Sequence, residues 1–198
     1  TNANLDVDLQ NDDATPGTDA VTVASVAYIA LSGTGAATVK VSKNFTLNGG
    51  TFETENGDLI VEANQQVTPT GGTFVGVDIN NGQLQCFGTG AVTVKGKGGN
   101  SGADQKGVYV HGTAGIISGY SGVTTVIGTG GASSSNSNYG VEVNGTASQI
   151  TSFDGGNVSV TGTGGGSGSS SVNHGVYVTA AGKISAGGIG TTTVQGTG

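Results

Sequence analysis

Four side chains recur at one place in a repeated phrase of this 198-residue sequence: Asp78, Tyr109, Glu142 and Tyr177. Each fills the variable position of Gly-Val-x-Val or its variant Gly76-Val-Asp-Ile79. On an extended strand successive side chains alternate between faces, so these four form one outward column between inward aliphatics. Rings beside carboxylates suit a glycan, with the tyrosine faces as stacking platforms. The same residues would also serve as a solvated face covering backbone. A second group, Asp6, Asp8, Asp12 and Asp13, offers the oxygen ligands that Ca²⁺ prefers. It lacks the EF-hand order and the glycine-rich calcium nonapeptide. Asp6 and Asp8 are expected to point outward from a strand, and Asp12 and Asp13 to lie in a loop. His111 and His174 flank the tyrosine column without cysteine or paired carboxylates at ligand spacing, and read as surface histidines.

Catalytic readings find less. Polysaccharide-cleaving sites need paired carboxylates or a positively charged base region. Within the repeats the acids are Asp78, Asp104, Glu142 and Asp154, never two in one strand, and there is no arginine. No Gly-x-Ser-x-Gly elbow leads from a strand to a helix, and Gly182-Lys183 is followed by Ile184 rather than by a P-loop hydroxyl. Cys86 is the single cysteine, so no intrachain disulfide can form, and it reads as a strand residue. Thr38, Thr93, Thr125, Ser159 and Thr193 form an outward hydroxyl column, but Asp6 and Ile60 interrupt it. One broken column is too narrow for an ice-binding grid. The chain is expected to be no enzyme and to need no cofactor, calcium aside.

Forty glycines, two prolines and a net charge of −7 bound the positioning elements. Glycine is poor in helices, and its spacing here lacks the strict period of collagen. Nine of the thirteen acids fall within the first 62 residues. An acidic surface without arginine is a poor partner for nucleic acid or anionic lipid, and no segment is apolar enough to span a membrane as a helix.

The elements come from repetition. Gly107-Val-Tyr-Val-His111 through Val126-Ile-Gly-Thr-Gly130 returns as Gly140–Gly164 and as Gly175–Gly198, with a looser copy over Gly76–Gly98. A period of this size marks an array whose units bury their apolar faces only by stacking. Taking Val7, Val39, Val61, Val94, Val126, Val160 and Val194 as register marks gives steps of 32, 22, 33, 32, 34 and 34 residues. Each pass holds three strand signals: Gly-Val-x-Val; one centred on Ile29, Leu84, Ile116 or Ile117, Ile150 or Ile184; and the Val/Thr strand that carries the mark.

Three strands per turn with one variable loop predict an all-β fold, a parallel β-helix (β-solenoid) of about six to seven coils. It forms one domain over residues 1–198, without a boundary near residue 75. Inward columns are expected along the register marks, along Val77, Val108, Val141 and Val176, and along Ile79, Val110, Val143 and Val178, filling a narrow core without aromatics. The loops 98–106, 130–139 and 164–174 should project from one edge, so that deleting Ser133–Ser137 leaves stability nearly unchanged.

The Gly-Val-Tyr-Val phrase, the Thr-Gly-Thr-Gly-Gly loop opening at Gly128–Gly131 and Gly162–Gly165, and Gly57-Asp-Leu-Ile-Val-Glu-Ala-Asn64 resemble giant bacterial cell-surface repeat proteins. Those are similar to filamentous-haemagglutinin and autotransporter-passenger β-helices. The resemblance implies a right-handed coil and a secreted, extracellular fibre or adhesin segment on a bacterial surface. Neither end of the array reads as a cap, so the coils are expected to continue into a longer chain or to self-associate end to end into filaments. A glycan-binding module that meets host or matrix glycans is the next expectation, and a polysaccharide-active enzyme the third.

Overall fold

The computed structural model describes residues 2–10 and 17–198. Among them there is no helix, and nineteen strands, numbered in chain order, form three parallel sheets. The first sheet stacks β2 (Val21–Val23), β5 (Phe45–Asn48), β8 (Val77–Asn80), β11 (Val108–His111), β14 (Val141–Asn144) and β17 (Val176–Thr179). The second stacks β3 (Tyr28–Leu31), β6 (Thr51–Thr54), β9 (Gln83–Cys86), β12 (Ile116–Ser118), β15 (Gln149–Thr151) and β18 (Lys183–Ser185). The third stacks β1 (Leu5–Leu9), β4 (Ala37–Val41), β7 (Leu59–Ala63), β10 (Val92–Lys97), β13 (Thr124–Thr129), β16 (Val158–Thr163) and β19 (Thr192–Thr197). The chain visits the sheets in rotation, which makes a β-solenoid of about six turns with three strands per coil. Pairing of β5 with β8 and of β6 with β9 carries the sheets past residue 75 unbroken.

Register follows the repeated valines. Val7, Val39, Val61, Val94, Val126, Val160 and Val194 pair in sequence along the third sheet. Val77, Val108, Val141 and Val176 pair along the first, as do Ile79, Val110, Val143 and Val178. Most of these side chains have no exposure. Each coil therefore removes from water the apolar face of its neighbour, at roughly 1.5–3 kcal/mol per valine. The outermost coil departs from the expected core: Val176 is half-buried, while Val178 and Val194 remain 44% and 48% exposed. Among the described residues no further coil covers their outer side.

One further correction and one addition concern the core. Phe45 and Phe52 are fully buried with ring centroids 6.4 Å apart, so the early coils do use aromatics. Phe52 completes the second column, Ile29–Phe52–Leu84–Ile117–Ile150–Ile184, in which Ile117 rather than Ile116 faces inward.

The repeated glycines have a steric cause at the corner between the third strand and the next first strand. A Cβ at Gly96, Gly128 or Gly162 would stand 2.1, 2.0 or 1.9 Å from the carbonyl oxygen of Gly107, Gly140 or Gly175. Backbone meets backbone there, so Val-x-Gly and Gly-Val-x-Val must recur together.

The loops after the third strand do not simply project. Gly131 N–H donates to Gln105 O at 2.7 Å and Gly165 N–H to Asn138 O at 2.7 Å, repeating the bond from Gly99 N–H to Phe74 O. Ser133 and Asn138 are buried, and Ser133 Oγ donates to Gly102 O at 2.6 Å. Unsatisfied backbone groups near the core must find partners, and stacking loop on loop supplies them.

Candidate functional site

The outward column is as expected in register: Asp78 pairs with Tyr109, Tyr109 with Glu142, and Glu142 with Tyr177. Its surroundings are not those of an open glycan platform. Glu142 is buried, because the loop ending at Lys106 folds over it. Lys106 is buried as well, with Nζ 2.8 Å from Asp104 Oδ1 and 3.3 Å from Glu142 Oε2. The same ammonium stands 4.5 Å from the ring centre of Tyr109 and 5.8 Å from that of Tyr139, within cation–π range.

Tyr109 is stacked on its other side. The His111 ring lies 3.9 Å away and 8° from parallel. An ammonium and an imidazole cannot share one ring face at these distances, so both faces of Tyr109 are occupied. His111 Nε2 also hydrogen-bonds Asp78 Oδ1 at 2.8 Å, so this histidine is a half-buried member of the cluster rather than a free surface residue. Asn144 Nδ2 donates to Glu142 Oε1 at 3.1 Å. Tyr177 joins Tyr139 and His174 in a second aromatic group, with centroids 4.9–5.5 Å apart.

The local charges shift two protonation equilibria. Burial alone would lower the pKa of Lys106. The hydrogen bond to Asp104 and the charges of Glu142 and Asp104 outweigh it and hold the ammonium above the ordinary lysine range. Burial, then the charge of Glu142, raises the Tyr109 hydroxyl above the usual tyrosine range, with Lys106 opposing. The column thus works as a clasp that holds loops onto the first sheet. Lys106, Tyr139 and His174 share the repeat position just before the glycine of Gly-Val-x-Val, and that phase is the signal that could have placed them here.

The candidate calcium ligands are not assembled. Asp6 and Asp8 point outward and are exposed on β1, and Asp8 pairs in register with Lys40, whose charge opposes a divalent cation. Asp12 and Asp13 lie outside the described residues. Among the described residues no group of three or more His, Cys, Asp or Glu side chains is placed to hold a metal ion. Cys86 is buried at the end of β9, with its thiol donating to Glu55 O at 3.2 Å.

A groove that sequence reasoning missed lies on the outer side of the second sheet. It encloses about 240 Å³ between Tyr28, Ser32, Glu53, Glu55 and Phe87. The Tyr28 hydroxyl donates to Glu53 Oε1, and Gln85 Nε2 donates to Glu53 Oε2 at 3.2 Å. The bond to Glu53 raises the pKa of the Tyr28 hydroxyl. Tyr28, Glu53 and Phe87 come from three successive coils, and only the unrecognised Phe52 register aligns them. No protein-family model, curated protein or solved structure matches the chain.

Proposed function

We propose that this chain is a rigid, non-enzymatic structural element, an adhesive β-solenoid segment of an extracellular bacterial surface fibre that extends by adding parallel coils end to end. One observation carries this reading. From Val39 to Val194 like positions of successive coils pair in parallel register, so each coil offers the next a matching strand edge beside an apolar face. An uncovered strand edge beside an apolar face is a template for another strand, and heterologous stacking of that kind does not close on itself. The regular ladder makes a stiff rod at roughly 4.8 Å per coil.

The side chains fit a structural role. Three acids on the outward faces of the first and third sheets bind other side chains: Asp78 with His111, Glu142 with Lys106, and Glu62 with Lys95 at 2.8 Å. A polysaccharide-active site on these faces would need carboxylates free to meet substrate. A glycan site on the Tyr109 face would need at least one open ring face, and both are covered.

Electron microscopy with sedimentation over a range of concentrations tests the reading. Rods that lengthen with concentration, and that stop lengthening in Val178→Asp/Val194→Asp, are expected. A species that stays monomeric at high concentration, or assembly that ignores these substitutions, overturns end-to-end growth.

A further inference from the structure

We propose that the groove on the second sheet binds an organic ammonium carried on a saccharide, that is, an amino-sugar chain. Glu53 is 8% exposed, yet the donors to its carboxylate are the neutral Tyr28 hydroxyl and the Gln85 amide. Among the described residues neither Glu53 nor Glu55 is in an ion pair, unlike Glu62, Asp78, Asp104 and Glu142. A carboxylate taken from water without a cation is costly, so a cation entering the groove would gain from a charge that the fold leaves uncompensated. Glu55 stands at the mouth, its Oε2 accepting Gly33 N–H at 2.6 Å.

The walls say what kind of cation. Tyr28 is 68% exposed and Phe87 48%, and both rings line the space beside the carboxylates, with Ala30 and Leu31 adding apolar surface and Ser32 and Thr54 hydroxyls. An ammonium on a carbon ring would set its charge toward Glu53 and its C–H surface against these aromatics. A bare metal ion would leave the rings unused.

The surface beyond the groove favours a chain of sugar rings over a lone lysine side chain. Phe87 begins a line of exposed aromatics, Phe87, Tyr120 and Phe153, one in each successive coil at the same corner. The Tyr120 and Phe153 ring centroids are 6.1 Å apart. The line runs along the solenoid axis, where each coil adds roughly 4.8 Å, about the advance of one pyranose in an extended polysaccharide. A net charge of −7 favours approach of a polycation. Binding here stands independently of end-to-end assembly.

Isothermal titration with a glucosamine hexamer, its N-acetylated counterpart and oligolysine of equal charge tests the proposal at low salt. The glucosamine hexamer should bind, and the N-acetylated hexamer should bind about tenfold more weakly or worse, since its amines carry no charge. Glu53→Gln, which keeps shape, should weaken glucosamine binding about tenfold, and Phe153→Ala, an exposed change far from the groove, several-fold. Circular dichroism establishes that both variants fold. Absence of glucosamine binding overturns the proposal, and so does equal binding of the acetylated hexamer, or no effect of Glu53→Gln. Oligolysine binding as tightly as glucosamine, with Phe153→Ala without effect, would mean that the surface reads charge alone, and would overturn the saccharide assignment.

Discussion

A methyl group at Gly128 would stand 2.0 Å from the carbonyl oxygen of Gly140 and 2.7 Å from Cγ2 of Val141, so the third strand and the next first strand approach too closely there for any side chain. Relief would require moving backbone, which in a stacked coil moves the ladders on both sides. Gly128→Ala should therefore cost at least about 1–3 kcal/mol in urea unfolding. Gly196→Ala, the same repeat position in the outermost coil, meets its nearest atom at 3.1 Å and should cost much less. Equal losses would show that the close approach is not what holds the glycine.

Lys106 and Glu142 depend on each other. Lys106→Met strands the buried Glu142 charge and should destabilise by on the order of 3 kcal/mol; Glu142→Gln should cost less, because Asp104 still pairs with Lys106. The double variant should recover much of that loss, because no buried charge then lacks a partner. A double-mutant cycle by chemical denaturation measures the coupling; purely additive effects would contradict the clasp.

Stability should fall at the alkaline end. Lys106, Tyr109 and Tyr28 all hold their protons more tightly in the folded chain than in the unfolded one. Their contribution is thus full below the unfolded values near pH 10, and is lost as pH rises through the higher folded ones. Unfolding midpoints from about pH 8 to about pH 11 should show the decline, and Lys106→Met should make it shallower. A midpoint that rises over this range would reverse the sign.

Deletion of Ser133–Ser137 should be costly. It removes buried Ser133 with its bond to Gly102 O, the Asn136 carbonyl that accepts Asp104 N–H, and the Asn136 side chain that accepts Ser171 N–H. At roughly 1 kcal/mol for each bond, a loss of about 3 kcal/mol is expected. A deletion variant that unfolds like the parent would restore the picture of free loops.

Asn138 should be equally sensitive. It is fully buried, its Oδ1 accepts Gln105 N–H at 3.2 Å, and its own N–H donates to Asn173 Oδ1 at 3.0 Å. Asn138→Leu would leave Gln105 N–H buried without a partner, at a cost of about 1–3 kcal/mol. Thermal unfolding checks this against Ser134→Leu, an exposed change in the same loop.

The valine columns and the coil count were readable from the chain, because parallel in-register strands place equal repeat positions on top of one another. The third-sheet register from Val7 to Val194 needs only the period and the two-residue alternation of a strand. Where the repeat wanders, the reading failed: Phe52 stands in a coil whose second strand lacks the usual isolated aliphatic, and with it Glu53 and the groove were lost.

What the sequence determined by itself is therefore which residues share a column and which face each column takes. What covers those columns was decided by the tertiary structure. Lys106 reaches over Tyr109 to Glu142 because a loop folds back on the sheet, and Tyr28, Glu53 and Phe87 meet because three unlike coils stack. Periodicity encodes contacts between like positions one coil apart. It carries no information about contacts between unlike positions, which depend on where each loop travels and which side chains it carries there.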